Sequence, residues 1–152
     1  MRKRTRSREF ALQILYQVDM THSEIEEVWD DFWKEKTDLI LSTDEIDSVE
    51  DSKKDSEVKK YTKKLVYGTL DKLQSIDKLI ERFAENWEIN RMAYVDKNIL
   101  RLSTYEMMYL DEIPVKVAIN EAVELAKRYG ESDSSKFVNG ILDKIAKTEC
   151  KK

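Results

Sequence analysis

The sequence predicts an all-α fold, a single compact domain of about seven helices, and three observations predict it. First, 152 residues are enough to bury a sizeable core within one domain. Second, the chain holds only three Gly and one Pro, Pro114, too few breakers for a many-turned β architecture. Third, apolar residues recur at helical spacing along nearly the whole chain.

The elements follow in order. Phe10, Ile14 and Val18 mark a first helix, with Thr5 or Ser7 as its N-cap. Ser23 and Glu26 form a capping-box pattern, and Ile25, Val28, Trp29, Phe32 and Trp33 then draw a clean amphipathic stripe. The polar stretch Ser42–Glu57 has no periodicity and reads as a solvated acidic loop. Val58, Tyr61, Leu65, Val66 and Leu70 open a third helix; Ile76, Leu79, Ile80, Phe83 and Trp87 make a fourth. Val95–Leu110 is apolar on more than one side and so should be central. After Pro114, Val115–Tyr129 forms the sixth helix, closed by Gly130 as a C′ residue. Ser134 or Ser132 caps the last helix, whose Phe137, Val138, Ile141, Leu142 and Ile145 face inward. Asn139-Gly140 would suggest a hairpin turn, yet it lies in unbroken helical phase. Gly140 is therefore read as permitting close approach of a neighbouring helix, since a mid-helix Gly costs about 1 kcal/mol relative to Ala.

Charge narrows the function classes. The net charge of −4 conceals five cations, Arg2, Lys3, Arg4, Arg6 and Arg8, in the first eight residues. From Asp19 to Glu57 there are 15 acidic and four basic residues. Such a chain does not bind nucleic acid over its whole surface; a confined basic site on an acidic body fits. No apolar run approaches the roughly 20 residues of a membrane span. One cysteine, Cys150, allows no internal disulfide, in keeping with a reducing cytoplasm.

Arginine pairs with phosphates bidentately and stacks on bases, so an Arg-rich end suits RNA. If helical, Arg4 and Arg8 share a face, and Tyr16 two turns on could stack on an unpaired base. The plainer alternative is a frayed, solubilising tail with a core tyrosine. The acidic stretch lacks the ligand alternation and Gly of an EF-hand and reads as a solvated surface that repels nucleic acid. His22, the only histidine, has no companions for a zinc site or triad and reads as a surface turn residue. Cys150 sits in a frayed Lys-rich end without an activating histidine. No phosphate-binding Gly loop occurs. Catalytic residues, metal ligands and cofactors are thus not expected. Trp29, Trp33 and Trp87, like Met107, Met108 and Tyr109, read as core filling.

Several linked motifs resemble the NusB family of bacterial antitermination factors: RKRTRSREFALQILYQVD at the start, VDKNILRLSTYEM in the middle, then IPVKVAINEAVELAK and DSSKFVNGILDKI. They include Asp96, Lys97, Leu100, Arg101, Tyr105, Glu106, Asn120 and Glu121, whereas Thr37–Glu57 shows no such match. The resemblance implies an all-α RNA-binding domain over residues 1–152 that binds boxA RNA of ribosomal RNA leaders with NusE, a small-subunit ribosomal protein, near elongating RNA polymerase. Arg4, Arg6, Arg8 and Tyr16 match positions associated with RNA, with Arg2 and Lys3 in the variable basic segment. Asp133, Lys136 and Phe137 fall on the RNA side. Asp96 matches a position linked to complex assembly, and Asn90, Met92 and Asp96 are where NusE would be sought; Asp133 joins them as a partner-binding candidate. A homodimer covering the RNA surface is a further state the family allows. A helical accessory to ribosomal RNA modification or ribosome assembly, or a purely structural interaction domain, are the competing readings.

Overall fold

The computed structural model describes residues 3–42, 49–85 and 87–150. Among them are seven α-helices and no strand: α1 (Lys3–Thr21), α2 (Ile25–Ser42), α3 (Val49–Asp71), α4 (Leu73–Phe83), α5 (Tyr94–Tyr109), α6 (Val115–Tyr129) and α7 (Ser134–Glu149), with a 3₁₀ turn at Ile89–Arg91 between α4 and α5. The all-α expectation holds. The chain divides into two compact units, residues 1–63 and 64–152, and α3 runs unbroken through the division.

In the first unit α1 packs on α2 through the stripe read from sequence. Phe10 meets Phe32 and Trp33 at ring-centroid distances of 5.4 and 5.6 Å, and Trp33 meets Trp29 at 5.5 Å, each edge-on. Edge-to-face packing adds directional preference to burial, and Trp29 and Phe32 are buried. α1 begins at Lys3, so Thr5 and Ser7 lie inside it rather than capping it. Ser7 is instead fully buried: its hydroxyl donates to the Val58 carbonyl of α3 at 3.0 Å, with the Lys3 carbonyl at 3.1 Å as the alternative acceptor. His22 ends α1 at φ 57°, the left-handed turn residue expected on the surface. The capping box at Ser23 does not form. The Glu24 carbonyl accepts the first bond of α2, from Val28 N–H, while the Ser23 hydroxyl accepts from Thr21.

The expected loop over 42–57 is corrected in its second half. Residues 43–48 lie outside the described residues, but α3 already starts at Val49. Nothing in VEDSKKDSE breaks a helix, and its i, i+4 spacing of Glu50 with Lys54 and Lys53 with Glu57 favours one. A polar run without an apolar stripe is still helical here.

In the second unit α5 is the central rod, packed against α4, α6 and α7. Ile99, Leu100, Leu102 and Met107 are fully buried, so the helix is apolar on several sides as read. Its polar members are tied down. Arg101 is buried and forks onto Asp77 of α4, with Nε to Oδ1 and Nη2 to Oδ2 both 2.8 Å, while Nη1 reaches Asn98 Oδ1 at 3.3 Å. Bidentate pairing of this kind fixes geometry as well as charge.

Four expectations about the last helices and the end of the chain change. Gly130 is at φ −95°, an extended C-cap of α6 and not a left-handed C′ residue. It is glycine for lack of room: a Cβ there would stand 2.5 Å from Ser134 Oγ and 2.8 Å from the Ala126 carbonyl oxygen. Asp133 occupies the N-cap position of α7, and the Ser134 hydroxyl instead accepts from Glu131 N–H at 2.9 Å, closing the α6–α7 turn. Among the described residues no helix approaches Gly140; a Cβ there meets nothing within 4 Å. Cys150 is not frayed, for its thiol donates to the Met107 carbonyl at 3.3 Å.

Candidate nucleic-acid interface

The basic end is an ordered helix from Lys3 onward; Arg2 lies outside the described residues. Three contacts fix the start of α1 on α3. Lys3 pairs with Glu57, Ser7 bonds Val58, and the guanidiniums of Arg4 and Arg8 approach the Tyr61 ring, at 5.0 and 6.0 Å from its centroid. The i, i+4 spacing therefore places Arg4 and Arg8 on one face, as read. The two differ in what they offer. Arg8 is only 3% exposed, held in the packing between α1 and α3, whereas Arg4 is exposed. Arg8 thus positions α1, and Arg4 meets solvent.

Arg6 points away from that pair. Its guanidinium lies 6.0 Å from the Phe10 ring centroid and is exposed. It continues along α1 as a strip with Gln13, Gln17 and Met20, all exposed and spaced i, i+7, i+11 and i+14. Tyr16 borders this strip, half-buried. Two further cations flank the aromatic cluster beneath: Lys36 Nζ is 5.0 Å from the Phe10 centroid, and Lys59 Nζ is 5.4 Å from that of Trp33. Sequence reading missed Lys36, Lys59 and Tyr61 because their neighbours on α1 and α2 are distant in sequence. The frayed-tail alternative does not survive the packing of Ser7 and Arg8.

In the second unit, Lys136 and Phe137 stand on the first turn of α7, Lys136 exposed and Phe137 half-buried. Phe137 meets the indole of Trp87 edge-on at 5.7 Å. Trp87 itself is 50% exposed and lies beyond α4, against the expectation that it fills the core. Of the partner-binding candidates, Asn90 is exposed in the 3₁₀ turn, Asp133 is exposed at the start of α7, and Met92 is buried. Asp96 sits in the first turn of α5 with one carboxylate oxygen buried and lacking a hydrogen-bond partner among the described residues. The 3₁₀ turn carrying Asn90 is secured by the Glu81 carboxylate, which accepts from Ile89 N–H at 3.1 Å. The described residues hold no group of three or more His, Cys, Asp or Glu arranged for a metal ion. No helix among them is long and apolar enough to cross a membrane.

Tyr105 of α5 is a phenol with a shifted acidity. Burial pushes it above its usual 10.0, Asp71 and Glu112 add to the rise, and Lys64 opposes it. Its ring stacks on Tyr109 at 5.6 Å, a packing role and not a chemical one.

The family model for the NusB family matches residues 5–147, almost the whole described chain. The chain belongs to the NusB family. It is 38% identical over 159 aligned positions to the transcription antitermination protein NusB of Thermodesulfovibrio yellowstonii, covering 97% of this chain and 93% of that one. Its fold is similar to that of T. maritima NusB, with a TM-score of 0.80, 34% identity, and coverage of 99% of this chain and 94% of that one. A chain in the crystal structure of the antitermination factors NusB and NusE in complex with dsRNA matches with a TM-score of 0.78 and 29% identity, covering 97% and 98%.

Proposed function

We propose that this NusB family member is a transcription antitermination factor that binds boxA RNA of ribosomal RNA leaders together with NusE, the small-subunit ribosomal protein, and helps RNA polymerase pass premature termination signals. The observation that most supports it is the exposure of Arg4 and Arg6 on an ordered α1, the helix that also carries the half-buried Tyr16 about three turns on. A few arginine–phosphate contacts give salt-sensitive, weakly selective attachment, and an aromatic ring beside them supplies preference for unstacked bases. In the reading, Lys3, Arg4 and Arg6 carry the phosphate contacts, Arg8 orients them, and Tyr16 in the first unit and Lys136 and Phe137 in the second are further RNA contacts. NusE is met by Asn90, Asp96 and Asp133, with buried Met92 supporting the turn from beneath. A small basic tip binds RNA modestly by itself, and a second protein touching both RNA and chain enlarges the interface.

The work is binding, without a catalytic step, and it takes place in the cytoplasm where transcripts are made. Residues 1–152 act as one domain in this reading; a single family model spanning the division at Lys63 and the continuity of α3 support that. The test is transcription in vitro through a terminator placed behind a ribosomal RNA leader. Adding the chain with NusE should raise readthrough on the boxA template and leave a scrambled-boxA template unchanged. Equal readthrough on both templates would count against the proposal.

A further inference from the structure

The α4 stripe, continued by one turn past Phe83, would bury Trp87. Instead α4 stops at Phe83, and Trp87 N–H turns back to donate to the Ala84 carbonyl at 2.9 Å. The indole leaves the stripe and becomes, at 50%, the most exposed large hydrophobic side chain among the described residues. Phe137 steadies it at 5.7 Å and an interplanar angle of 71°. An edge-to-face pair covers at most one face of either ring, so an indole face is left for another flat group.

Beyond Phe137, the exposed side of α7 is equally unusual. On α7, Gly140 follows Phe137 by one turn, exposed, and a Cβ there meets nothing within 4 Å. Lys136 precedes Gly140 by four residues and Lys144 follows it by four, so both share its face. Lys144 Nζ lies 3.9 Å from Glu85, which ties that strip to the loop carrying Trp87 while the Lys144 side chain stays 52% exposed. The aromatic plate thus meets α7 at Phe137, one turn before an exposed glycine with a lysine four residues to either side.

We infer that Trp87 is a base-stacking platform for one unstacked nucleobase of single-stranded RNA, with Lys136 and Lys144 serving the adjoining phosphates and Gly140 leaving room for the sugar-phosphate chain; this rests on the RNA-binding reading above. A flat apolar plate next to cations is the chemistry of single-strand binding, because every base has a π-face and every nucleotide a negative charge. Paired bases are already stacked and offer no such face, so the platform selects unpaired RNA.

The experiment measures Kd by fluorescence anisotropy with labelled boxA RNA and a series of the same RNA bearing one abasic nucleotide at each position. The full chain is compared with Trp87→Ala and Trp87→Phe. Trp87→Ala should weaken boxA binding about 5- to 100-fold with the salt slope unchanged, and Trp87→Phe should recover most of the loss. At one abasic position wild type and Trp87→Ala should bind alike, since the base that stacks is gone. Independently of Trp87→Ala folding, RNA should quench tryptophan emission in wild type more than in Trp87→Phe. Wild-type binding that Trp87→Ala leaves intact overturns this inference alone, whereas a wild-type chain that binds no boxA RNA overturns the RNA reading with it. An equal loss on every abasic RNA overturns it in favour of a packing role. Weakened NusE binding without RNA, with boxA binding retained, overturns it in favour of a protein contact.

Discussion

Replacing Gly140 by alanine should stabilise the fold by about 1 kcal/mol, a value set by backbone entropy alone. Gly140 sits within α7 without a positive φ, and its added Cβ would meet nothing within 4 Å. The substitution therefore makes no clash and buries no new surface, leaving only the glycine-to-alanine difference in helix propensity. For a chain of this length that corresponds to a rise in Tm of roughly 2–4 °C. Gly68 in α3 supplies the control. There the same Cβ would fall 2.1 Å from the ring of Tyr105, which Tyr109 backs at 5.6 Å. Displacing that stacked ring should cost about 1–3 kcal/mol, enough to cancel or outweigh the helix gain. Thermal and urea melts of Gly140→Ala and Gly68→Ala should thus move apart, the first upward. A fall in Tm for Gly140→Ala, or equal shifts for both, would refute the reasoning about where the two glycines stand.

Other outcomes follow from the same contacts. Arg6→Ala should weaken binding to boxA and scrambled RNA alike and reduce the slope of log K against log salt by about 0.7, one single-strand phosphate contact, read from a titration series. Tyr16→Ala should weaken boxA more than the scrambled RNA, and equal losses on both would remove it from base recognition. Asp77→Ala takes both carboxylate oxygens from the fork of buried Arg101 and should cost about 2–3 kcal/mol, seen as a lower urea midpoint with unchanged m. Tyr105 keeps its proton in the folded chain where the unfolded chain, with an ordinary phenol near 10.0, releases it. That contribution is present below the unfolded value and is lost as pH rises through the folded one, so Tm should fall less steeply from about pH 9 to pH 11 in Tyr105→Phe than in wild type.

Much of the fold was legible because the chain punctuates itself where it can. Pro114 and Gly130 bracket α6, and its observed span Val115–Tyr129 is the one the sequence suggests. Where punctuation is missing, periodicity misleads in both directions. The charged run from Val49 to Glu57 has no apolar stripe, yet it is helix. The stripe through Phe83 continues in the sequence to Trp87, yet the helix does not. The arginine end shows the same limit for the site. Spacing places Arg4 and Arg8 together, but only the fold brings Tyr61 beneath them and so separates a buried, positioning arginine from an exposed one. Gly140 illustrates a different gap: the sequence reveals that a glycine lies within a helix, and only the structure reveals that none of the described residues packs against it.

The most direct measurement is the affinity of the full chain for labelled boxA and scrambled RNA, with and without NusE, over a salt series. The account predicts tighter binding to boxA, strengthened by NusE and weakened steeply by salt. Absence of binding to either RNA, with NusE present, would contradict it and leave α1 as a packed helix with solvated arginines.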